Sequence, residues 1–119
     1  MSKGETILIV EDEVLLRDTW KEMLVHFGYK PLMAEDGLKA IRILNEQKVD
    51  LIITDLKMPK YDGFFLLNFL KEKNLNIPTI ICSGQTPNLS DFHVAKVVNK
   101  PLNMISLISE LDQYILSWN

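Results

Sequence analysis

The chain has 119 residues, 47% of them hydrophobic and 24% charged, which suits one domain (1–119) that buries roughly two thirds of the surface its unfolded form exposes. A net charge of −3 without any Lys/Arg cluster argues against nucleic-acid binding by this domain. No apolar stretch approaches the roughly 20 residues of a membrane span and no signal peptide is evident, so a cytoplasmic location is expected, with the lone Cys82 as a small core residue.

Thr6-Ile7-Leu8-Ile9-Val10 predicts a first strand, which runs into Glu11-Asp12-Glu13. Leu16, Trp20, Met23, Leu24 and Phe27 then recur at helical spacing, and Gly28 stands where a C-terminal cap belongs. Tyr29 to Ala34 reads as a weak strand at the sheet edge, because Pro31 lacks a ladder donor. Asp36 is the expected N-cap of a second helix marked by Leu38, Ile41 and Leu44. Val49 to Thr54 is a near-continuous apolar strand, the pattern of a strand covered on both faces, and ends at Asp55.

Asp62 is the expected cap of a third helix whose Leu66, Leu67 and Leu70 face inward, with Phe65 and Phe69 pointing away from that stripe. Pro78 leads into a Thr79 to Cys82 strand ending in Ser83, and Val97-Val98-Asn99 leads into Lys100-Pro101. A last helix is expected over about Asn103 to Trp118. Strands alternating with helices in this way predict a doubly wound α/β fold, with five parallel strands most simply in order 2-1-3-4-5. Only Gly84 to about Lys96 separates the last two strands, so the fourth crossover helix is shortened or missing.

The chemistry lies where these strands end, the edge at which open α/β sheets bind ligands. With the first and third strands adjacent, Glu11, Asp12 and Asp55 converge, and crowded carboxylates repel by roughly 4 kcal/mol per pair at contact distance and an effective dielectric near 20. A hard divalent cation relieves that repulsion, and Mg²⁺ suits a site of few carboxylates and several waters. Three carboxylates with Lys100 leave two surplus negative charges, which one Mg²⁺ cancels. Such a site can accept a phosphoryl group on a carboxylate, with Ser83 donating to a phosphoryl oxygen and Gly84 leaving room for it.

These residues make the chain resemble the receiver domains of two-component response regulators. The matching segments are Ile7 to Glu13, Asp55-Leu56-Lys57-Met58-Pro59 with Asp62-Gly63, Ser83-Gly84 and Lys100-Pro101, and Ala34-Glu35-Asp36-Gly37 fits as well. The resemblance implies a flavodoxin-like fold and a phosphorelay role, in which Asp55 takes a phosphoryl group from a sensor histidine kinase or a histidine phosphotransfer protein. It implies Mg²⁺ held by Asp12, Asp55 and the backbone carbonyl of Lys57, with Glu11 acting through water. Ser83 and Lys100 correspond to the family's switch hydroxyl and phosphate-binding lysine, and Lys57 and Gln85 to its pocket-tuning positions. The implied protein is a signalling switch with its own slow phosphoryl hydrolysis rather than a metabolic enzyme.

Val97 departs from the pattern, since receivers usually carry a switch aromatic three residues before the lysine. With the short fourth crossover, this moves the expected relay to residues 84–96, carrying Phe92 or His93 when Ser83 responds to phosphate. In the last helix the apolar residues span an arc of about 200°, against the ~100° stripe that core-facing helices need, and Leu107, Tyr114 and Trp118 are its surplus edge. That edge either supports a homodimer or covers core left bare by the missing helix. Val14, Leu15 and Asp18 start the first helix beside the site, where kinases dock on receivers. Two rivals stand: a degenerate receiver that only binds proteins, and an aspartate-nucleophile phosphatase, which normally needs an acid where Lys57 stands.

Overall fold

Five short strands form one parallel sheet in the computed structural model, which describes residues 4–118. The strands are β1 (Thr6–Val10), β2 (Lys30–Ala34), β3 (Leu51–Asp55), β4 (Thr79–Ser83) and β5 (Lys96–Asn99), in spatial order β2-β1-β3-β4-β5. The helices are α1 (Val14–His26), α2 (Gly37–Glu46), α3 (Gly63–Glu72), α4 (Met104–Ile108) and α5 (Leu111–Ser117). This is the expected doubly wound fold. Every residue of β3 and β4 is buried, as central strands covered on both faces must be. Among the described residues, no helix is long and apolar enough to cross a membrane.

Alternating side chains divide the core into two halves. Ile7, Ile9, Ile53, Ile80 and Cys82 face α1, α4 and α5, where Trp20, Leu24, Leu107, Ile108 and Leu111 cover them. Leu8, Val10, Ile52 and Ile81 face α2 and α3, where Ala40, Leu66, Leu67 and Leu70 cover them. The caps fall where expected. Asp36 and Asp62 accept the N–H groups of Lys39 and Phe65, at 2.9 and 3.0 Å. Gly28 ends α1 at φ +90°, a left-handed conformation that suits glycine. β2 with its Pro31 is an edge strand.

Residues 84–95 form no helix at all. The chain crosses from β4 to β5 as a loop, and Leu89, Phe92 and Val94 pack on the α3 side of the sheet in the helix's place. The backbone of this loop is pinned by Phe92 N–H to Leu89 O at 2.9 Å and Ala95 N–H to Thr79 O at 2.8 Å.

The last helix differs from the expectation of one continuous element. It breaks between Ile108 and Leu111, and the break turns the apolar arc inward in two steps. Leu107, expected on a surplus edge, is a core residue only 4% exposed. Tyr114 is half-buried on the core and donates its hydroxyl to Glu110 Oε1 at 2.8 Å, beside the Lys96–Glu110 ion pair, also 2.8 Å. Trp118 is half-buried as well, so of the Leu107-Tyr114-Trp118 ridge only Leu107 lies fully in the core. Phe69 likewise folds onto the core beside α3, whereas Phe65 stays partly exposed against the Tyr61 ring. Leu16, the first of the helically spaced apolar residues of α1, is 37% exposed and lines a pocket together with Glu11 and Asp55.

Candidate functional site

β1 and β3 pair in parallel with Val10 beside Thr54, so the residues just beyond them emerge at one edge. Glu11 and Asp55 are buried below the rim, and Asp12 is exposed above it. One carboxylate oxygen from each of the three lies within 4.8 Å of the others. This is the convergence expected from strands one and three. An oxygen-only set of carboxylates in a partly open cup is the donor chemistry that Mg²⁺ takes, so the residues present fit that ion.

The far strands complete the cup. Lys100 follows β5, where its N–H donates to Ser83 O at 2.8 Å and ties it to the end of β4. Its ammonium reaches back to Asp55 Oδ1, also at 2.8 Å. Ser83 is buried at the end of β4, and its Oγ accepts the Gln85 N–H at 3.2 Å. Lys57 and Gln85, two residues beyond Asp55 and Ser83 respectively, are exposed. Gly84 is exposed too, and a methyl there would meet nothing within 4 Å, so the space beside Ser83 is open.

Three residues shape this site without having been singled out for it in the sequence. The guanidinium of Arg17 donates to the carbonyl oxygens of Glu11 and Asp12, at 2.8 and 3.1 Å, and so holds the β1–α1 turn. Its sequence signal is only a basic residue one turn into the helix after an acidic run. Thr54 and Gly63 touch the Asp55 backbone from within the fold. Val14, Leu15 and Asp18 are exposed at the start of α1, and Val97 is partly exposed on the β5 edge.

Electrostatics reflects the crowding. Burial pushes the Glu11 carboxyl up to about 8, reinforced by Asp55 and Asp12 and opposed by the Glu13 N–H, which donates to Glu11 Oε2 at 3.0 Å. Burial alone would lower the Lys100 ammonium, but the hydrogen bond and charge of Asp55, with Glu11 behind it, hold it above its ordinary value. Burial pushes the Cys82 thiol up to about 12, with the Asp55 charge adding, so it is an inert core group. Glu11, Asp55 and Lys100 line an open pocket of about 500 Å³ together with the apolar Leu16, Trp20 and Met104.

Residues 7–112 match the family model of the response regulator receiver domain. The chain is 37% identical over 83 residues to the uncharacterised transcriptional regulatory protein YbdJ of Bacillus subtilis, covering 70% of this chain and 36% of that one. It is similar in fold to the receiver domain of Francisella response regulator 1452, with a TM-score of 0.87 at 24% identity, covering 95% and 98% of the two chains. It is also similar to the response regulator TrrA of Thermotoga maritima in complex with Mg²⁺-BeF, with a TM-score of 0.82 at 26% identity, covering 92% and 98%. The chain spans about a third to a half of the length of the first curated relatives it matches, and less of others.

Proposed function

Because the chain belongs to the family of response regulator receiver domains, we propose that it works as a phosphorelay switch. In this reading Asp55 takes a phosphoryl group from a phosphohistidine on a sensor histidine kinase or phosphotransfer protein. The observation that carries the reading is Asp55 itself: buried, grouped with Glu11 and Asp12, and ion-paired with Lys100 at 2.8 Å.

An Asp55 carboxylate oxygen attacks phosphorus, the new O–P bond forms as the P–N bond breaks, and the electron pair of that bond leaves with the donor imidazole. Asp12, Asp55 and the Lys57 carbonyl would hold Mg²⁺, with Glu11 reaching it through water; when bound, the ion supplies positive charge to the phosphoryl oxygens. Lys100, already at Asp55, supplies a further positive charge beside the group as it arrives. The Ser83 hydroxyl, which accepts from Gln85 N–H, is free to turn its own proton toward a phosphoryl oxygen. Lys57 and Gln85 set how readily water reaches the phosphoryl group, and hence how long the ester lasts. Such a domain acts in the cytoplasm and is a switch rather than a metabolic enzyme.

Incubation with acetyl phosphate and Mg²⁺, read by intact mass, tests the proposal. The expected result is one added phosphoryl group, absent in Asp55→Asn. No mass gain in the unaltered protein would leave a phosphorylation-independent binding module instead.

A further inference from the structure

Thr54 is a fully buried hydroxyl on the face that β1, β3 and β4 turn toward α2 and α3, where its register neighbours are the apolar Val10 and Ile81. Valine has nearly the same shape and an equal liking for strands, so packing does not call for the oxygen. A buried hydroxyl also costs free energy unless it is bonded. This one is bonded: fully buried, it donates to the carbonyl oxygen of the next residue, Asp55, at 2.8 Å.

Gly63, at the start of α3, crowds the same atom. A Cβ at Gly63 would lie 2.6 Å from the Asp55 carbonyl oxygen and 2.9 Å from the Leu56 Cα, distances that real side chains do not keep. The Gly63 N–H donates to Leu56 O at 2.9 Å, holding the helix start against this peptide. The β3–β4 ladder gives out here with a longer bond, Leu56 N–H to Cys82 O at 3.2 Å.

We infer that Thr54 is a positioning residue for Asp55, its hydroxyl and the bare Cα of Gly63 together fixing the Asp55 peptide plane. That plane sets the direction of the Asp55 carboxylate and of the Leu56-Lys57 backbone that follows it. The inference rests on the phosphoacceptor reading of Asp55. Small errors in aim matter at such a centre, because misplacing a reacting group by ~1 Å can cost ~100-fold in rate.

Thr54→Val and Thr54→Ser separate aim from packing, because both lower stability while only valine removes the hydroxyl that holds the Asp55 peptide. Serine loses the buried methyl and melts lower, yet keeps the hydroxyl. Valine keeps the methyl but loses the hydroxyl and leaves the Asp55 carbonyl without this donor, so it melts lower too. The expected result is that Thr54→Val slows phosphorylation by acetyl phosphate and weakens Mg²⁺ binding, measured by calorimetric titration with MgCl₂, each by about fivefold, the scale of one neutral hydrogen bond. Thr54→Ser stays near the unaltered protein in both. Rates and affinities that follow melting temperature, or a valine variant equal to serine in both, overturn the inference. If the unaltered protein gained no phosphoryl group, the reading of Asp55 would fall, and the Mg²⁺ titrations alone would decide the role of Thr54.

Discussion

The ring of His93 lies flat on the indole of Trp118, with centroids 4.0 Å apart and planes 16° from parallel. The stack joins the β4–β5 loop to the end of the last helix, two segments that the sheet alone does not connect. Phe92 beside it meets the Phe64 ring at 6.4 Å and the Lys71 ammonium at 5.7 Å. This aromatic seam stands on the flank that a fourth crossover helix would otherwise cover.

The seam lies downstream of Ser83 in a chain whose switch-aromatic position is Val97. Beryllofluoride with Mg²⁺ is expected to slow amide exchange across residues 84–95 and to change the Trp118 fluorescence. His93→Ala removes the stack, lowers stability by about 1 kcal/mol and abolishes the fluorescence change. Exchange that is identical with and without beryllofluoride rules out this loop as the responding element.

Lys100 is the counter-charge of a buried carboxylate. Breaking a buried pair costs about 3–5 kcal/mol, but the Lys100 side chain is 38% exposed and screened by water, which lowers the expectation for Lys100→Met to about 1–3 kcal/mol. Saturating Mg²⁺ should restore part of that loss, because it supplies positive charge to the same carboxylates. Urea melts with and without MgCl₂ measure both effects. Equal Mg²⁺ stabilisation of Lys100→Met and the unaltered protein would count against it.

The Glu11 carboxyl, pushed up to about 8 from 4.5, sets a pH dependence whose sign is definite. Between these values the folded, metal-free protein holds a proton that the unfolded chain has released, so stability falls as pH rises from about 4.5 to 8. Mg²⁺ competes with that proton, so its stabilising effect should be larger at pH 8 than at pH 6. Thermal melts in EDTA and in MgCl₂ at the two pH values supply the check, and Glu11→Gln should flatten the difference.

Leu107 and Leu116 make a contrast within one apolar helix pair, the first 4% exposed and the second 85%. Leu107→Ala should cost about 2–5 kcal/mol, as truncation of a core leucine does. Leu116→Ala should stay within about 0.5 kcal/mol, as surface changes do. Chemical denaturation midpoints will rank them, and the reverse order would return Leu107 to the surface.

Much of this molecule is readable from its residues because each signal there is local. Val49 to Thr54 has too few polar positions for any but a doubly covered strand, and Asp36, Asp62 and Gly28 mark helix ends by their own chemistry. The acid cluster follows once strand order is known, since parallel neighbours bring their downstream ends together. The split of the last helix is not local. No glycine or proline marks Ser109 or Glu110, and Glu110 turns to Lys96 on β5, a partner fourteen residues away. Arg17 and Thr54 escaped notice because both bind backbone carbonyls, which leave no pattern of paired side chains to detect.

The loop between β4 and β5 rests on the sheet through Leu89, Phe92 and Val94, while its remaining positions answer to no regular geometry. Mutation beyond Gln85 can therefore redraw the outline of that flank and leave the acid cup intact, since no side chain of residues 86–95 lines it. Under the proposed switch role, such changes would alter the surface offered to a partner without touching the acids.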